Sequence, residues 1–183
     1  KYHRVDNVMF DVGVFLNISE DHISPIEHAD FEDYFDSKML MFAKCKLAAV
    51  NLDADYIGRI TEAAKAAGEV VTFSTRDQNA SYYGHDIAKE ANGTLFKVRQ
   101  GDSDQQCGLT MPGLFNVEHA VGAIAAARAL KIPEEYIASG LNRARGSGRM
   151  ELYASEDNEV IAIVEYAHNK LSFEKLFESM KKE

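Results

Sequence analysis

The sequence predicts an α/β protein, a partial doubly wound parallel sheet with an antiparallel hairpin edge and a β-β-α appendage, on three observations. Val8-Met9-Phe10-Asp11-Val12-Gly13-Val14-Phe15-Leu16 is almost continuously apolar, as expected of a parallel strand covered on both faces. Apolar runs at 47–52 and 70–73 alternate with helical spacing at 31–43 and 55–67, and β-α-β-α-β alternation implies helices on both faces of a sheet. After Gly146-Ser147-Gly148 the pattern restarts as two short strands and a helix.

The elements follow in order. The run 8–16 is expected to be a central strand. Residues 81–113 switch to short polar-apolar alternations broken at Asn92-Gly93 and Gly101-Asp102, the signal of hairpins at a sheet edge. Two helices follow at 116–130, rich in Ala, and 133–144, where Pro133 suits a first-turn position. The glycines at 146 and 148 read as a hinge. Beyond it, 151–155 and 160–166 form a hairpin candidate around Asp157-Asn158, with a helix from Ser172.

A chain of 183 residues with 46% hydrophobic content can bury one sizeable core. Its 20 basic and 29 acidic residues give −9, which argues against nucleic acid or an anionic membrane as the main partner. No apolar stretch approaches a membrane span and no signal-peptide pattern opens the chain, so a cytoplasmic site is the expectation. Cys45 and Cys107 lack CxxC spacing and a matching His pair, which favours reduced buried thiols over a disulfide or zinc. The chain opens with Lys1-Tyr2-His3-Arg4 and stops within helical spacing, as an excised piece would.

Asn17-Ile18-Ser19-Glu20-Asp21-His22 leaves the carboxyl end of the first strand, where open α/β sheets place ligands. A neutral imidazole beside a carboxylate can hold a divalent cation, or Asp21 can simply cap a turn below a surface His22. Lys38 falls within the apolar stripe of Phe31, Tyr34, Phe35, Met39 and Phe42 and is expected to point inward. Desolvation there favours neutral amine, the form that reacts with carbon dioxide; the alternative is a stem on apolar surface with its charge in water. Asn116 could cap its helix or read a purine edge, with His119 one turn on. Arg149 could clamp phosphate or pair with an acidic neighbour. Glu165 and His168, at another strand's carboxyl end, could face ribose and phosphates or form a satisfied turn.

Taken together, His3-Arg4-Val5-Asp6, Asn17 to His22, Tyr34 to Lys38, Asn51-Leu52-Asp53, Gly113-Leu114-Phe115-Asn116, Gly148-Arg149-Met150-Glu151 and Tyr166-Ala167-His168 resemble the Mur ligase family in order and spacing, most nearly its tripeptide-synthetase branch. The resemblance implies that residues 1–148 belong to a central ATP-binding domain without its phosphate-loop half, and 149–183 to the start of a carboxyl-terminal domain. It implies ATP and magnesium, with His22 at the metal and Lys38 carbamylated beside it. It places Asn116 and His119 at the adenine, Arg149 at the phosphates, and Glu165 with His168 closing over ATP. The implied reaction belongs to peptidoglycan precursor synthesis. ATP phosphorylates the carboxylate of a UDP-MurNAc dipeptide and an amino acid's amine attacks the acyl phosphate, magnesium offsetting the charge.

The chain departs from that pattern at Glu165, where aspartate is usual, at His119, where a second asparagine is usual, and at Asn169-Lys170, which replaces Thr-Pro. No G-x-x-x-x-G-K-[ST] loop occurs in the 183 residues, so these residues alone are expected not to turn over ATP. A folylpolyglutamate-synthase-like ligase and a non-catalytic nucleotide-binding or scaffolding module are the competing expectations. The unpaired appendage is also expected to form a dimer contact.

Overall fold

Strands apolar on both faces can bury them only inside a layered sheet, and the three runs lie side by side accordingly. They are β1 (Phe10–Phe15), β2 (Cys45–Asn51) and β3 (Glu69–Ser74), parallel throughout, with Val14 opposite Ala49 and Ala49 opposite Val71. The computed structural model describes residues 5–90, 93–111 and 113–181. Lys1, Tyr2, His3, Arg4 and Asn92, named above, lie outside the described residues.

β3 pairs in parallel with β4 (Tyr82–Glu90), through Phe73 opposite Tyr82 and Ser74 opposite Tyr83 only. β5 (Gly93–Gln100) and β6 (Ser103–Leu109) then add antiparallel, giving the expected hairpin edge. Gly101, at φ 58°, turns the chain from β5 into β6.

The strand order is β1-β2-β3-β4-β5-β6, so among the described residues β1 stands at an end of the sheet rather than at its centre. Its apolar character is used toward its carboxyl end, where Phe15 is buried, while Phe10 is exposed.

Helices cover both faces. α1 (Phe31–Met39) and α2 (Ile57–Ala64) enclose a core of Phe15, Phe35, Phe42, Ala48, Val50 and Ile60. α3 (Leu114–Ala129) and α4 (Glu134–Arg143) enclose the other, with Ala49, Phe73, Phe96, Val98, Val121 and Ile124. Ala48, Ala49 and Val50 thus alternate between the two cores, as the period of two demands. The Ala-rich α3 lies close on the sheet: a Cβ at Gly122 would come within 2.9 Å of the Phe73 ring.

Three local expectations shift. α1 starts at the Asp30 cap and ends at Met39, short of 43, and a 3-10 turn at Phe42–Lys44 then buries Phe42 fully. Asn116 does not cap α3; Gly113 holds that position at φ 97°, a backbone conformation that suits glycine, and Asn116 is buried in the first turn. Pro133 stands at the cap of α4 rather than in its first turn, its fixed φ of −59° leading an extended residue into the helix.

β7 (Glu151–Ala154) and β8 (Ile161–Val164) pair as a separate antiparallel ribbon, and α5 (Lys170–Lys181) follows, beginning two residues before Ser172. Cys45 and Cys107 are free and buried, and burial pushes both thiols up.

Candidate functional site

The carboxyl ends of β1 to β3 form one rim, built from the backbone outward. Asn51, buried at the end of β2, donates to the Leu16 carbonyl at 2.9 Å and accepts from the Asp53 N–H at 3.0 Å. The Asp53 carboxylate accepts from the Ser74 hydroxyl and from the Thr75 N–H at 2.7 Å, locking the exit of β3 to that of β2. Asn51-Leu52-Asp53 was a sequence motif without a role. A buried amide at a strand end was the signal that it ties loops.

His22 lies in the loop after β1 with φ 56°, in the left-handed region. Its N–H donates to Asp21 Oδ1 at 2.9 Å, so Asp21 caps the turn, while its Nδ1 meets Glu27 Oε1 at 3.1 Å. Glu27 accepts in turn from the Ser24 hydroxyl at 3.2 Å. Sequence reading missed Glu27 because nothing in the sequence marked the tight loop that folds residues 22–28 back on themselves.

Lys38 is exposed, which corrects the inward placement expected from the helical stripe. Its long stem carries the ammonium off the edge of that stripe to sit 5.3 Å from the centre of the Tyr34 ring. The His22 ring lies 5.7 Å from that same ring, so imidazole and ammonium share one side of the rim through Tyr34. Burial, and then the charge of Asp21, push the Tyr34 phenol up and keep it neutral.

The carboxyl-terminal segment meets the same loop. Asn169 Nδ2 donates to Asp21 Oδ2 at 3.0 Å. Burial raises the Asp21 carboxyl, but the N–H of His22, the amide of Asn169 and the charges of His22 and His168 together hold it below its usual range. His168 stacks near Tyr166 at 4.9 Å and its Nδ1 lies 2.9 Å from the Tyr166 carbonyl. Arg149 lies over the Tyr166 ring at 4.8 Å and pairs with Glu165 at 3.6 Å. Glu165 accepts from the Met150 N–H at 2.7 Å and the Tyr166 N–H at 2.8 Å, so in this arrangement it closes the base of the β7–β8 ribbon.

On α3, His119 opens to solvent yet is ringed by protein. That desolvation, and then the charge of Arg149, lower its pKa, so the imidazole stays neutral near pH 7. A neutral imidazole offers one donor and one acceptor, as an asparagine amide does. Arg149, Glu165, Tyr166 and His168 thus lie in contact with one another, Asn169 joins their segment to Asp21 and His22, and Tyr34 stands between His22 and Lys38, with His119 and Asn116 one turn apart on α3.

A cavity of about 500 Å³ lies between α3, α5 and the β3 exit, lined by Arg76, Phe115, Glu118 and Lys175 among others. Glu118 had no sequence signal, since one carboxylate on an Ala-rich helix looks like solvated surface.

Among the described residues no three His, Cys, Asp or Glu side chains converge as a cage for a metal ion. Magnesium needs only one or two protein donors when water and phosphate oxygens supply the rest. With Nδ1 turned to Glu27, His22 leaves Nε2 free, with Asp21 4.0 Å from it, and that donor set fits such an ion.

Residues 1–127 match the model of the Mur ligase middle domain. The chain is 37% identical over 179 residues to a UDP-N-acetylmuramyl-tripeptide synthetase of Bifidobacterium longum (strain NCC 2705), covering 94% of this chain and 35% of that protein. It is 36% identical over 180 residues to a UDP-N-acetylmuramoyl-L-alanyl-D-glutamate--L-lysine ligase of Streptococcus pneumoniae serotype 2 (strain D39 / NCTC 7466), covering 95% and 34%. The chain thus spans about a third of the length of the curated relatives it matches. In fold it is similar to a crystallised MurF ligase from Thermotoga maritima in complex with ADP, at TM-score 0.79 and 16% identity over 98% of this chain and 41% of that one. Among the described residues no helix is long and apolar enough to cross a membrane.

Proposed function

Because the chain belongs to the Mur ligase family, we propose that it serves an ATP-dependent carboxylate-amine ligase that adds an amino acid to a UDP-MurNAc dipeptide in peptidoglycan precursor synthesis. The observation that supports this reading is the set of contacts that brings the segment of Arg149 and His168, through Asn169 and Asp21, to the loop of His22 and, through Tyr34, to Lys38. Residues 1–148 act as the nucleotide-facing unit and 149–183 as the start of a second unit, with Gly146-Ser147-Gly148 as the hinge.

The γ-phosphoryl group of ATP passes to the dipeptide carboxylate as ADP leaves, and the amine of the incoming amino acid then attacks the acyl carbon, expelling phosphate and giving up a proton. His22 would hold magnesium through Nε2, its ring fixed by Glu27. The ion, when bound, offsets charge on the phosphoryl group. Lys38 swings off the Tyr34 ring, toward the phosphoryl oxygens as the ammonium, or as a carbamate anion that would help hold the magnesium. Asn116 and neutral His119 face the adenine edge. Arg149 exchanges its long contact with Glu165 for phosphate oxygens, leaving Glu165 for the ribose, and His168 closes beside them.

No phosphate-gripping loop lies in these 183 residues, so the chain by itself is expected to give no turnover in a coupled phosphate-release assay. A chimera in which it replaces the matching third of the Bifidobacterium longum relative is expected to release ADP only with both a UDP-MurNAc dipeptide and an amino acid present. A folded chimera lacking that double dependence refutes the reading. The β7–β8 ribbon exposes Leu152, Tyr153, Ile161 and Val164, and at high concentration it is expected to pair two copies of the chain. Light scattering that shows monomer alone rejects this contact.

A further inference from the structure

We propose that Asn169 is a positioning residue that ties the carboxyl-terminal segment to the loop carrying His22, and so sets His168 against His22. Its use in catalysis rests on the ligase reading, but the tie itself does not.

Both ends of one amide are committed. Asn169 Oδ1 accepts from the Ser172 N–H at 2.9 Å, and the Asn169 N–H donates to the Ser172 hydroxyl at 3.0 Å, a reciprocal cap on α5. The same hydroxyl accepts from the His168 N–H at 3.1 Å, which fixes the residue before the cap. At its other end Asn169 Nδ2 donates to Asp21 Oδ2 at 3.0 Å, across 148 residues of sequence. Asp21 Oδ1 in turn accepts from the backbone of His22 at 2.9 Å.

Two side chains therefore connect the first turn of α5 to the backbone of His22. An aspartate, serine or threonine could cap α5, but none offers a helix-capping acceptor together with an N–H₂ donor for a carboxylate. The side-chain chemistry at position 169 thus meets a requirement that capping alone does not impose. The tie spans the turn at Gly146-Ser147-Gly148, where the Arg149 N–H donates to the Gly146 carbonyl at 3.0 Å and Gly148 has φ 67°. The contact between α3 and α5 is a second link between the carboxyl-terminal segment and the rest of the chain.

Asn169→Asp separates the two jobs, because aspartate caps a helix as well as asparagine does while facing Asp21 with like charge. Amide hydrogen exchange on the full 183-residue chain, followed by mass spectrometry, reads the tie without any nucleotide. Asn169→Asp is expected to speed exchange in residues 18–23 about tenfold, with the circular dichroism of the helices unchanged. Adding Asp21→Asn exchanges donor and acceptor, re-forms the bond and is expected to return exchange to the parent rate. Unchanged exchange in Asn169→Asp, or a double variant that exchanges as fast as the single one, overturns the proposal. Failure of the chimera assay leaves this result untouched, so the two ideas fall separately.

Discussion

Single side chains at the rim carry opposite proton preferences. His119 is held neutral by desolvation and by Arg149, so its folded-state pKa lies below the ordinary value of 6.5. As pH falls through that value the unfolded chain takes up a proton that the folded chain refuses, and stability is lost. Denaturant midpoints are expected to drop between pH 8 and pH 5.5, with a smaller drop in His119→Asn. Glu118 behaves in the reverse sense. Burial raises its carboxyl, assisted by the charges of Asp53 and Glu178 and opposed by Lys175 and Arg76, which face it from α5 and the β3 exit. Its folded-state pKa is raised, so the stability it contributes is present at low pH and declines as pH rises. Glu118→Gln is expected to raise Tm at pH 8 and to change it little near pH 4.

At the same scale, the sequence showed where chemistry sits but not how it is oriented. His22, Arg149 and His168 lie at the strand and loop ends where their motifs put them. The outward turn of Lys38 was hidden because a stripe at helical spacing fixes only the direction of Cβ, while three further methylenes decide where the charge ends. Glu27 and Asn169 were equally hidden, because their roles exist only once distant or folded-back segments meet.

Among the elements, α3 is the most exacting. Replacing Gly122 by alanine puts a methyl 2.9 Å from the fully buried Phe73 ring. Overpacking of this kind costs about 1–3 kcal/mol, more than the roughly 0.5–1 kcal/mol a helix gains from alanine over glycine. A lower urea midpoint is the expected result. α1 depends on its start, where Asp30 accepts from the Asp33 N–H at 2.9 Å. Asp30→Ala is expected to cost about 1 kcal/mol by the same measurement. Helical spacing showed α1 in the sequence, and Ala content showed α3. Their ends were less visible: α1 stops early because Phe42 must turn into the core, and glycine rather than Asn116 opens α3 because only φ 97° joins it to β6.

For the whole molecule, both apolar cores close before the carboxyl-terminal ribbon begins. Neither core cluster contains a residue beyond Ala144. Deleting residues 151–183 is therefore expected to leave cooperative melting with Tm within about 4 °C of the parent, seen by circular dichroism. The central placement expected of β1 is not seen among the described residues, where β1 has β2 as its strand neighbour; an apolar run reports that a strand is covered above and below, not that it has neighbours on both sides.

The sheet's order repeats the order of the chain, each strand lying beside the one made just before it. A ribosome could release these six rows in turn, each of β2 to β6 meeting a neighbour already made. The exception is α3, which appears after all six rows yet touches five of them. Until it emerges, one side of the growing layer stays greasy and open, so the interval between β3 and α3 is when a nascent chain of this kind most needs a chaperone.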